Sequence, residues 1–138
     1  FHQTAPESAL YELIPKSLNF KPGTEFFEAV ARKGLRLSEA LAPEIFSLAD
    51  SNDLGALYAV KKTAAQHAKD VCGIAKQLGI KDQNIAIVRA GGLHTAGNNA
   101  FDSEFEAGIK AELPNANLIV LDRAPVMGAV LRAIGNLQ

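Results

Sequence analysis

The residues best suited to binding a small ligand follow the first of two short apolar runs in the last third of the chain. The run Ile-Ala-Ile-Val at residues 85–88 is soon followed by the pair Gly91-Gly92. Two glycines let a backbone approach a ligand closely and adopt positive φ. A tight turn leaving a strand explains the pair equally well, because the dipeptide alone is a weak motif. It is neither the GxGxxG pattern of dinucleotide-binding proteins nor a P-loop.

Polar residues beyond the glycines add two further candidates. His94 could contact a nucleotide or act as a base, but spacing assigns it no partner carboxylate, so we expect a solvent-exposed loop histidine. Asn98 and Asn99 are predicted to cap the helix that follows, and Ser103 with Glu106 has the spacing of a capping box.

The acidic residues and the single cysteine favour structural roles. Three carboxylates stand at the amino end of a predicted helix, where the helix dipole favours them: Asp102, Glu104 and Glu106. Asp50 and Asp53 suit a turn and a cap better than the oxygen-rich loop that calcium requires. Cys72 lies beside an apolar helical stripe and is predicted to be an inert buried thiol. We therefore predict no metal site and no catalytic residue.

The elements that position the glycine pair form a predicted βαβα unit. Residues 85–88 and 118–121 are unbroken apolar runs of strand length, which predicts strands buried on both faces of a parallel sheet. A helix at 101–113 connects them, and a second helix follows at 125–134. Gly128, inside that last helix, indicates close packing against another helix or against a ligand.

The residues before the sheet are predicted to be helical. The expected helices are 8–14, stopped by Pro15; 24–33, with Phe26, Phe27 and Val30 inward; 38–49, regular from Ala42; and 54–78. The last of these carries an alanine-rich stripe, which predicts close packing. We expect a single α/β domain that is helix-rich with a small parallel sheet, mainly helical over 1–83 and βαβα over 84–138.

Composition excludes several classes of function. The 138 residues carry a net charge of −1, which gives no electrostatic basis for binding nucleic acid or an anionic membrane. One cysteine excludes a disulfide framework, and a cytoplasmic location is the default. Because the chain begins at Phe1 and its one methionine is Met127, we expect a piece of a larger protein rather than a processed secreted chain.

Two segments of the carboxyl-terminal third resemble a known family. Ile-Val-Arg-Ala-Gly-Gly at 87–92 and Ala-Pro-Val-Met-Gly-Ala-Val-Leu-Arg-Ala at 124–133 are similar to the end of the N-acetylglucosamine kinase and dehydratase-activating ATPase family. The segment at 41–56 also looks like the helical stretch that precedes the long helix there. The resemblance covers about residues 37–135. It implies a ribonuclease H-like half-domain of the actin-like ATPase and hexokinase superfamily.

The resemblance also implies a role for individual residues. Gly91 and Gly92 would approach the adenosine of ATP, bound as its magnesium complex, and Pro125 and Gly128 would lie near the same cleft. Ala90 departs from the usual serine or threonine and removes a hydroxyl contact. The kinase branch is favoured, because the dehydratase branch needs cysteines for an iron–sulfur cluster and this chain has only Cys72.

The resulting hypothesis is the carboxyl-terminal portion of an ATP-dependent sugar kinase, with an amino sugar bound through the missing part. The superfamily's phosphate loops and catalytic aspartate are absent here, so this chain alone would be inactive. The alternative is a non-catalytic α/β module that binds a small ligand or another protein. The oligomeric state stays open, with a homodimer as one option.

Overall fold

A computed structural model describes residues 7–121, 124 and 126–135 and has a helix-rich α/β fold. In chain order the elements are α1 (Leu10–Ser17), α2 (Thr24–Lys33), a 3₁₀ turn (Glu39–Leu41), α3 (Ala42–Asp50), α4 (Leu54–Gln77), β1 (Ala86–Arg89), α5 (Gly92–Thr95), α6 (Asn99–Glu112), β2 (Asn117–Val120) and α7 (Val126–Gly135). Helices therefore appear close to where the sequence predicts them, and so do the two strands.

The chain divides into two compact units that are discontinuous in sequence. Unit 1 is Phe1–His67 with Asn98–Phe105, and unit 2 is Ala68–Gly97 with Glu106–Gln138. The division falls within α4 and within α6, so each of these helices contributes its two halves to different units. The candidate glycine pair belongs to unit 2.

Unit 1 is built around an aromatic cluster. Phe101 is fully buried and stacks on Phe105, with ring centroids 6.4 Å apart. Phe46 and His67 approach the Phe101 ring edge-on, at 6.1 Å and 5.8 Å. Edge-to-face and offset aromatic pairs contribute about 0.5–1.5 kcal/mol each beyond the area they bury. This cluster therefore joins α3, α4 and the first half of α6 within unit 1.

Helix α1 continues through Pro15, so the predicted stop at that residue is wrong. The helix ends at Ser17, and Asn19 then adopts the left-handed conformation with φ 60°. The amide of Phe20 donates to the carbonyl of Pro15 at 2.9 Å, and the amide of Asn19 donates to that of Lys16 at 3.1 Å. This pair of bonds is a Schellman motif. Pro15 thus supplies an acceptor for the cap that ends the helix.

Helix α2 has the predicted ends but a different buried face. Phe26 and Ala29 are buried, whereas Phe27 and Val30 are 44% and 38% exposed. The prediction that Phe27 and Val30 point inward is therefore wrong. The regular part of α3 begins at Ala42, as predicted.

Asp53 caps the amino end of α4, as the sequence predicts. Its Oδ1 accepts the amide N–H of Ala56 at 2.8 Å, and its Oδ2 accepts that of Ala9 at 2.8 Å. The hydroxyl of Ser8 also donates to Oδ1. The hydrogen bond from Ser8 lowers the pKa of the Asp53 carboxyl most, and the hydrogen bond from Ala56 lowers it further. Three donors thus favour the charged form.

The alanine-rich stripe of α4 packs closely within unit 2, as predicted. Ala68, Cys72 and Ala75 are 1%, 2% and 3% exposed. A Cβ built on Gly108 of α6 would lie 2.7 Å from the Cβ of Ala68, closer than real side chains approach. The two helices therefore meet at a point where only glycine fits.

The strands form a parallel pair, as predicted, but are not buried on both faces. Ala86 is opposite Asn117 and Val88 is opposite Ile119. These four residues share one face, which is exposed: Val88 is 55% and Ile119 41% accessible. On the other face Arg89 is buried, but its ladder partner Val120 is 50% exposed. The prediction of burial on both faces is wrong, because the described residues place no layer over the first face.

No helix within the described ranges combines the length and the apolar character needed to cross a membrane.

We predict that Gly108→Ala destabilises the protein by about 1–3 kcal/mol, because the added methyl group would overlap the Cβ of Ala68. Gly73→Ala is the matched control: Gly73 lies inside α4 with no other atom within 4 Å of a built Cβ, so the better helix propensity of alanine should stabilise by about 0.5–1 kcal/mol. Urea unfolding followed by circular dichroism measures both. Equal effects would contradict the close contact.

We also predict that Asp53→Ala costs about 1 kcal/mol at neutral pH through loss of the α4 cap. Because the pKa of Asp53 is lowered in the folded state, its carboxylate stabilises the fold at pH values above the unfolded pKa of 3.8. This stabilisation is lost as the pH falls through the folded pKa. The stability difference between parent and variant should therefore shrink below about pH 4. Asp82→Ala, at a side chain that is 85% exposed, is the control. A difference independent of pH would refute the capping charge.

Candidate functional site

The candidate site lies where the backbone leaves β1 and turns into α5. Gly91 has φ 87°, a conformation that side chains other than glycine rarely adopt. Its carbonyl accepts the amides of His94 at 3.0 Å and Thr95 at 3.1 Å, and the hydroxyl of Thr95 at 3.0 Å. Three donors on one carbonyl close the turn tightly. The turn therefore requires glycine at position 91 for its own geometry.

Gly92 differs from Gly91, because its own turn does not require glycine. It opens α5, lacks positive φ, and has no atom within 4 Å of a built Cβ. Neither the backbone conformation nor a packing contact among the described residues therefore requires glycine at position 92. An alanine would fit at position 92, and the glycine leaves backbone accessible from outside.

Arg89 and His94 form a polar pair beside this turn. Arg89, the last residue of β1, is only 7% exposed. Its Nε donates to Nδ1 of His94 at 3.4 Å, and one terminal guanidinium nitrogen donates to the carbonyl of His94 at 3.5 Å. Because Nδ1 accepts, the ring proton of His94 lies on Nε2. The pair connects the end of the strand to α5 and fixes the imidazole tautomer.

Two sequence predictions near the turn are wrong. His94 is half-buried within α5 rather than in an exposed loop. Ser103 lies inside α6, so it does not form a capping box with Glu106. The cap is Asn98 instead, whose Oδ1 accepts the amide of Phe101 at 2.9 Å. The prediction that Asn98 caps this helix is thus confirmed.

Arg89 was missed by the sequence interpretation. A signal was present: Arg89 is a charged residue directly after the apolar run at 85–88, and it stands two residues before the glycine pair. Buried arginines need partners, so a charge in that position indicates a polar contact near the end of the strand.

The remaining predicted site residues lie elsewhere in the chain. Pro125 is outside the described residues. Gly128 is in α7, where no described atom lies within 4 Å of a built Cβ. The close packing against another helix that the sequence predicts as one option for Gly128 is therefore not seen among the described residues. The structure does not show Gly128 and the β1 turn in contact.

The acidic residues and Cys72 take no part in this site. No group of three or more histidine, cysteine or carboxylate side chains among the described residues could hold a metal ion. Burial is the main cause that raises the pKa of the Cys72 thiol, and the nearby Glu112 carboxylate raises it further. A raised pKa lowers the thiolate fraction and hence the reactivity of the thiol. The predicted role of Cys72 as an inert buried thiol agrees with this environment.

Comparison with known proteins assigns no family to the chain. No protein-family model, no curated protein and no solved structure matches it.

We predict that Arg89→Met loosens the turn after β1, because it removes both donors to His94. Amide hydrogen exchange at His94 and Thr95 should become about tenfold faster or more, since these amides bond to Gly91. Arg132→Met, at an exposed position of α7, is the control and should change neither amide. Unchanged exchange in the Arg89 variant would show that the pair does not hold the turn.

Proposed function

We propose that the turn after β1 supplies adenosine-side contacts to an ATP site. The chain would be the carboxyl-terminal portion of an ATP-dependent sugar kinase similar to N-acetylglucosamine kinase. The observation that supports this most directly is Gly92, where the described residues give no intramolecular reason for a glycine. A glycine of this kind at the carboxyl end of a parallel strand is favourable for close approach of a ligand.

The neighbouring residues are suited to binding rather than to a covalent step. The parallel register directs the carboxyl ends of β1 and β2 to the same edge of the sheet, which is where ligands bind in open α/β sheets. Arg89, hydrogen-bonded to His94, holds the turn at this edge in place. These features favour recognition of a neutral, polar ligand such as a nucleoside.

Phosphoryl transfer would need groups from outside these 138 residues. The sequence contains no Asp-Gly-Gly phosphate loop, and phosphoryl transfer depends on groups that position the phosphates and their magnesium ion. The amino sugar and the metal-bound phosphates would be held by the rest of the parent enzyme. The chain by itself should therefore bind a nucleoside without turning over ATP.

The alternative function is a non-catalytic α/β module that binds a small ligand or another protein. The exposed apolar residues of unit 2, such as Val88 and Leu131, favour an interaction role. This alternative needs neither a nucleotide nor a kinase parent.

The proposal predicts that adenosine and ATP bind the chain with affinities that agree within about threefold, both near the millimolar range, because the phosphates find no partner here. Titration followed by nuclear magnetic resonance should shift the amides of Gly91 and Gly92 with both ligands. Gly92→Ala should weaken both about tenfold, which corresponds to about 1.4 kcal/mol.

Gly73→Ala is the matched control, because it adds the same methyl group at another open glycine. It should leave both affinities unchanged. Absence of adenosine binding in the millimolar range would refute the proposed site. Binding of N-acetylglucosamine without binding of adenosine would favour the alternative module. Measurable ATP turnover by the isolated chain would contradict the assignment of catalysis to residues outside it.

A further inference from the structure

We draw no further inference here: the strongest candidate, the apolar face of the two-stranded sheet in unit 2 that carries Val88 and Ile119, is exposed to solvent, and nothing in the structure shows what covers it.

Discussion

The parallel pairing of β1 with β2 is the constraint on which the rest of unit 2 depends. Two parallel strands cannot be joined by a tight turn, so the chain must return along the sheet through α5 and α6. The return places the carboxyl ends of both strands at one edge, and the glycine turn lies there. It also places Arg89 on a face of the sheet where that side chain is buried, and leaves the face with Val88 and Ile119 open.

The two faces of this sheet have different consequences. On the face with Arg89, that side chain stabilises the turn through His94, so the geometry around Gly91 and Gly92 is organised before any ligand arrives. Preorganisation of this kind lowers the entropic cost of binding. On the open side, apolar side chains contact solvent, which is unfavourable unless another surface covers them. The proposed ligand site therefore lies at the edge of the sheet rather than on this open face.

Local patterns in the sequence predicted most of the elements. The three- and four-residue steps of α4 identify that helix to within one residue at each end, because its apolar side is repeated over seven turns. The apolar runs predict each strand one residue away from where it forms. Their limits follow the hydrogen-bonded ladder, in which Arg89 is paired opposite Val120, rather than the apolar run. A charged residue can belong to a strand when its side chain finds a partner, and composition alone does not reveal that partner.

Sequence patterns are sufficient to predict the class of the fold, the position of the long helix, the capping role of Asp53 and the glycine turn after the first strand. Each of these follows from residues that are neighbours along the chain. Three features depend on the packed fold: which faces are buried, the need for a glycine at position 108 opposite Ala68, and the contact of Arg89 with His94. Burial and close approach depend on segments that are distant in sequence, and an apolar run looks the same whether a layer covers it or not. For that reason the sequence predicts that both faces of the strands are buried, whereas one face is open.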